Sequence, residues 1–101
     1  MIRSRIDAAR ALSDTDEHHA FWFCDGSVLK NIEELYATLL RVDDSAYRYH
    51  ANSEKNDFGN WINDVLGDSA LAKQLRGKEK KEVARILKQR ISWLERKAKG
   101  K

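Results

Sequence analysis

From Val28 to Val42 the apolar side chains recur at positions 28, 29, 32, 35, 36, 39 and 40, with Glu33, Glu34 and Arg41 opposite them. That three-to-four spacing predicts a helix with one buried face. A second, longer stripe of Val83, Ile86, Leu87, Ile91, Leu94 and Ala98 falls within one arc at about 100° per residue, predicting a helix from about Glu79 to Lys97. Lys81, Arg85, Lys88, Arg96 and Lys99 fall on its far side. An apolar arc this wide has to be covered, either by the body of the protein or by a second copy of the same helix.

Shorter signals fill the rest of the chain. Ile2, Ile6, Ala9 and Leu12 trace an N-terminal amphipathic helix, which Asp14-Thr15-Asp16 interrupts with turn and cap residues. Phe21-Trp22-Phe23 is either an extended entry segment or the first turn of something buried, and Asp25-Gly26-Ser27 ends it as a turn. Asp43-Asp44-Ser45 supplies an N-cap for a short helix carrying Ala46, Tyr47, Tyr49 and His50, which stops near Asn52. Asn56 or Asp57 then caps a helix from Phe58 to Leu66, in which Gly59 costs about 1 kcal/mol against alanine. Gly67 closes it, Asp68 opens a helix over 69–76 carrying Leu71, Ala72 and Leu75, and Gly77 stands at its C-terminal cap. The sum is an all-α bundle of five or six short helices with a longer basic C-terminal helix. Its expected core is Leu35, Leu39, Phe58, Trp61, Ile62, Leu66, Leu71, Val83, Leu87 and Leu94. The expected organisation is an N-terminal helix and cap over 1–20, a single helical domain over 21–98 and a frayed basic tail over 99–101.

Composition sharpens this picture in two respects. At 101 residues the chain suits one domain, and its 35% charged residues, against about 25% in an ordinary globular protein, require a densely ionic surface. No stretch approaches the roughly 18 apolar residues of a membrane span, no apolar run follows Met1-Ile2-Arg3-Ser4-Arg5, and the single Cys24 has no internal partner. A cytoplasmic location without membrane association is the expectation. The charges are also unevenly placed. Residues 73–101 carry twelve basic and three acidic side chains, a net of +9, whereas residues 1–72 carry a net of −6. An acidic body with a basic arm points to an acidic partner, which is either another macromolecule or the body itself.

The aromatic start Phe21-Trp22-Phe23, the Gly26 turn, the Ile32/Leu35/Leu39 helix and Tyr49-His50 stand ahead of Asp57-Phe58-x-x-Trp61-Ile62 and Val65-Leu66-Gly67-Asp68-x-x-Leu71-Ala72. Together, over roughly residues 21–94, they resemble an uncharacterised family of small archaeal and bacterial domains of unknown function. The resemblance implies a helical domain that occurs alone or attached to other modules, and it implies no activity. His50, Asp57 and Trp61 fall on family positions, with Gly67 and Asp68 in the motif that follows. Cys24 and the His18-His19 pair lie outside the pattern.

Four chemistries follow from the residue types. His18, His19, His50 and Cys24 are the borderline or soft metal ligands, but their spacing lacks the C-x₂-C or H-x₃-H arrangement that presents two ligands from one element, so no metal or cofactor is expected. His50 beside Asp57 has the residue types of an acid–base pair, yet no phosphate loop, nucleophile elbow or paired carboxylates accompany it. A structural bridge between two helices, with Asp57 capping the helix that begins at Phe58, is the reading preferred over an enzyme. Trp22, Trp61 and Trp93 could stack on unpaired bases, with Trp61 assigned to the core and Trp93 to a half-exposed border. The basic stripe Lys81, Arg85, Lys88, Arg96 and Lys99 fits non-catalytic contact with an acidic protein or the backbone of a nucleic acid. The competing expectation is an assembly module, a homodimer or adaptor joined through Ile86, Trp93 and Leu94. No small-molecule substrate is indicated.

Overall fold

Six α-helices and one small hairpin follow one another along residues 2–100, the part of the chain that the computed structural model describes. Side-chain caps set most helix starts. α1 (Arg5–Leu12) opens on Ser4, α2 (Ile32–Arg41) on Asn31 and α3 (Asp44–His50) on Asp43, each side chain accepting a backbone N–H of the first turn. α4 (Asp57–Trp61) and α5 (Ser69–Gln74) open in the same way on Asn56 and Asp68. Each such cap is worth about 1 kcal/mol. α6 (Lys80–Ala98) begins after Glu79 with no side-chain cap bond, and its length and buried face hold it instead.

The fold is mostly helical, not purely all-α. Phe21–Trp22 form a strand, β1, antiparallel to Val28–Leu29, β2, with Phe21 opposite Leu29 and Trp22 opposite Val28. The reason is local: Phe21 and Phe23 are buried while Trp22 between them is 69% exposed, which is the two-residue alternation of a strand. The turn runs through Gly26 at φ +94°, a left-handed conformation that glycine adopts without strain. The helix expected from Val28 therefore starts only at Ile32, once Asn31 accepts the Glu34 N–H. Leu40, counted in the apolar stripe, is 61% exposed.

Two further corrections concern the middle of the chain. The cap of α4 is Asn56, whose Oδ1 accepts the Gly59 N–H at 3.0 Å, while Asp57 turns toward His50. The helix expected to run through Leu66 changes pitch at Ile62 and continues to Leu66 as a π-helical turn. Gly67 closes that turn at φ +74°, and the N–H groups of Gly67 and Asp68 both reach the Ile62 carbonyl.

α6 packs chiefly on α1 and α2, with α5 alongside, whereas α4, the π-helical turn and α5 pack on one another. All ten expected core residues are buried, and Ala8 and Ala11 of α1 join them. Residues 5–12 are thus part of the same body and not an appendage. The 12.8 Å radius of gyration matches the roughly 13 Å of a single 100-residue domain. At the C-terminal end, Lys99 and Gly100 return N–H bonds to the Glu95 and Lys97 carbonyls, and Lys101 lies outside the described residues. Among the described residues no helix is long and apolar enough to cross a membrane.

Candidate functional site

The paired residues His50 and Asp57 do meet. The imidazole, 4% exposed, lies among aromatic rings, with centroids 5.0 Å from Phe21, 4.9 Å from Phe23 and 5.4 Å from Phe58. Its Nε2 accepts the Cys24 backbone N–H at 3.0 Å, so the ring that satisfies both neighbours carries its proton on Nδ1 and donates it to Asp57 Oδ2 at 3.0 Å. Lys55 Nζ reaches the same carboxylate oxygen at 3.1 Å. The arrangement ties the hairpin, α3 and α4 together. Chemically it differs from a nucleophile relay in one decisive way, because the Nε2 lone pair that a general base needs is held by a peptide N–H. The Cys24 thiol faces the Ala46 carbonyl at 3.8 Å. Neither His50 nor Asp57 lines any of four clefts formed by the described residues.

Burial pushes the Asp57 carboxyl up, but the bonds from His50 and Lys55 pull it further down, leaving it below its ordinary 3.8. A carboxyl depressed by folding holds its proton less readily in the native state than in the unfolded one. Its stabilising contribution is therefore complete above 3.8 and vanishes as the pH falls through the lower, folded value. Urea denaturation of Asp57→Asn should show the variant clearly less stable than wild type at neutral pH, with the gap closing as the pH drops below 3.8. A gap that persists unchanged into acid would remove the charge from this account and leave only shape.

The other expected ligands are dispersed. His19 Nδ1 bonds Asp16 at 2.7 Å on the surface, and its carbonyl accepts the Trp61 indole N–H at 2.7 Å, fixing the short 3₁₀ turn Glu17–His19 over α4. His18 is exposed. Among the described residues no group of three or more His, Cys, Asp or Glu side chains is placed to hold a metal ion.

On α6 the five cations singled out from the sequence, Lys81, Arg85, Lys88, Arg96 and Lys99, are all exposed. At about 100° per residue they share one face, opposite the buried Val83, Leu87, Ile91 and Leu94. Arg85 Nη2 bonds Glu82 at 2.8 Å within the same helix. Among the described residues no hydrogen bond or ion pair is made by the side chains of Lys81, Lys88, Arg96 or Lys99. The acidic body therefore does not fold back onto this face. Two of its carboxylates are engaged elsewhere, Asp25 with Arg41 and Asp57 with Lys55.

Ile86, Trp93 and Leu94, expected at an interface, are placed differently. Leu94 is fully buried and Ile86 is 8% exposed, both in the core, so neither is free to meet another chain. Trp93 is half-buried, and its ring is covered by the Arg90 guanidinium at 4.2 Å and by Lys97 Nζ at 5.5 Å. The wide apolar arc of α6 is satisfied by α1 and α2, which is the intramolecular of the two solutions open to it.

The same packing uncovers a residue pair that the sequence reading missed. Arg90 grips the buried Asp68 with two bonds of 2.7 Å, Nε to Oδ2 and Nη2 to Oδ1. Asp68 and Gly67, read as helix punctuation, are therefore also the point at which the π-helical turn is bolted to α6. Missed as well were Lys73, Arg76 and Lys78, which flank the turn between α5 and α6. The signal available for them was a helix-ending Gly77 with basic neighbours on both sides. Comparison with models of protein families, with curated proteins and with solved structures finds no match to this chain.

Proposed function

We propose that the protein is a non-catalytic binding module whose outward α6 face holds the phosphate backbone of a nucleic acid. The observation that carries this reading is the exposure of Lys81, Lys88, Arg96 and Lys99 on one helical face without an acidic partner among the described residues. Cations already neutralised by neighbouring carboxylates have little left to offer a phosphate, whereas free ones release counterions from the nucleic acid when they bind. The surplus of positive charge in residues 73–101 supplies the same drive at longer range. Contacts of this kind position a backbone and read no sequence.

Fluorescence anisotropy with labelled oligonucleotides across a salt series tests it. Affinity should fall steeply with salt, and the double charge reversal Lys81→Glu/Lys88→Glu should weaken binding roughly tenfold or more and flatten the salt slope by about two. Both residues are exposed, so circular dichroism should remain that of wild type. Binding that ignores salt, or that survives this reversal unchanged, would overturn the proposal.

A further inference from the structure

Three clefts meet beside the basic face of α6, and one residue lines all of them. The largest, about 590 Å3, runs between α3 and the α5–α6 turn. A second, about 230 Å3, lies between α4 and α5, and a third, about 480 Å3, lies between α5 and α6. Arg76 belongs to all three, Asn60 to the first two, Lys73 to the last two and Lys78 to the first and third. The clefts therefore adjoin one another around Arg76 and together make a grooved surface with that residue at its junction. The third branch also contains Arg85, which joins the groove to the face of α6.

The charges along this groove are not balanced. Two of its acids already have partners: Glu79 faces Arg48 at 3.6 Å and Glu82 faces Arg85 at 2.8 Å. Among the described residues the side chains of Lys73, Arg76 and Lys78 make no hydrogen bond or ion pair, and the Asn60 amide is likewise unbonded. What stays available is three cations and an amide in concave surface, with Glu54 the one acidic side chain there without an ion pair.

Concavity separates the possible forms of ligand. A duplex presents its phosphates on a convex rod and reaches a projecting helix face easily, but it can insert a nucleotide into a cleft only by unpairing it. A single strand bends freely and can turn its bases inward, where amides meet their edges. The largest branch is within the 300–1,000 Å3 of ordinary small-ligand sites, enough for a nucleotide-sized group.

We infer that the ligand is single-stranded nucleic acid, led from the α6 face past Arg85 into the groove, with Arg76 holding a phosphate at the junction and Asn60 contacting a base. This rests on the nucleic-acid reading of α6 and adds the form of the ligand and its path.

The test compares a labelled oligothymidylate of about 10 nucleotides with the same strand paired to oligoadenylate, at low salt. The wild-type protein should bind the single strand at least tenfold more tightly than the duplex. Arg76→Glu should cost the single strand roughly tenfold and the duplex less than twofold, and Asn60→Ala should weaken the single strand alone. Equal affinity for the two forms, or an Arg76→Glu loss that is the same for both, would overturn the groove and leave the α6 proposal standing. Equal binding of both forms that is lost only in Lys81→Glu/Lys88→Glu would do the same. No binding of either form by the wild-type protein would overturn both proposals. Arg76 and Asn60 are exposed, and an unchanged melting temperature verifies that the variants remain folded.

Discussion

Asp68→Ala should destabilise the protein by about 3–5 kcal/mol, the range for breaking a buried ion pair from one side. The carboxylate side chain is 2% exposed and the Arg90 side chain 15% exposed, so its removal leaves a guanidinium with little access to water. One further bond depends on the same side chain: its Oδ1 accepts the Leu71 N–H at 3.2 Å as the cap of α5. For a domain of about this size a loss of that order lowers the melting temperature by on the order of 20 °C. Asp68→Asn keeps the shape and an oxygen for the cap, so its cost should be smaller, and the difference between the two variants isolates the charge. Asp68→Ala combined with Arg90→Met should be more stable than Asp68→Ala alone, because no unpaired cation remains. Denaturant titrations of wild type and the three variants measure these differences. A loss below about 1 kcal/mol for Asp68→Ala would show that Arg90 finds water or another partner at no cost.

Why this pair escaped the sequence is a matter of range. Twenty-two residues separate Asp68 from Arg90. Periodicity places each on its own element but carries nothing about the register of one element against another, so Arg90 looks like any other cation of the last helix. The same limit hid the path of the groove, whose walls come from α3, α4, α5 and α6. What was legible is what local physics dictates. The caps in Asp43-Asp44-Ser45 and at Asp68 and the stop at Gly67 follow from the orphan N–H groups and carbonyls of helix ends, while the sequence narrows the cap of α4 only to Asn56 or Asp57. α6 was legible because nineteen residues repeat one arc without interruption. The hairpin was not, since two-residue strands are too short to establish a period, and Val28 and Leu29 fell by coincidence in phase with the α2 stripe. His50 and Asp57 could be paired by eye at seven residues apart, but the second partner of the ring is the Cys24 amide, and a backbone N–H leaves no mark in a sequence. The apolar arc of α6 required a cover without saying which. Ala8 and Ala11 are the answer, small residues that leave a helix face able to approach α6 closely.

Phe58→Ala should cost a similar 3–5 kcal/mol, and it should do so unevenly across the molecule. The ring is 1% exposed, stacked on Phe21 at 5.2 Å and on Tyr47 at 5.5 Å, with His50 at 5.4 Å. Tyr47 is in turn fixed by its hydroxyl, which donates to the Lys78 carbonyl at 2.6 Å. Burial, reinforced by the charge of Glu79, pushes that phenol up to about 12, so it remains a donor throughout the neutral range. A hairpin with strands of two residues has almost no stability of its own. Its inner face, Phe21, Phe23 and Leu29, is held down by this aromatic cluster. Truncating Phe58 opens a cavity beneath the hairpin, so hydrogen exchange of the Phe21, Phe23 and Leu29 amides should accelerate far more than that of Leu87 or Ile91 in α6. Phe58→Leu, which fills part of the space, should lose less. Asn60 shares α4 with Phe58, and Tyr47 lines the largest cleft, so the groove is exposed to this change, whereas the outward face of α6 lies on another element. Uniform acceleration of exchange along the whole chain would mean that the hairpin and α6 unfold as one unit and that the cluster does not act locally.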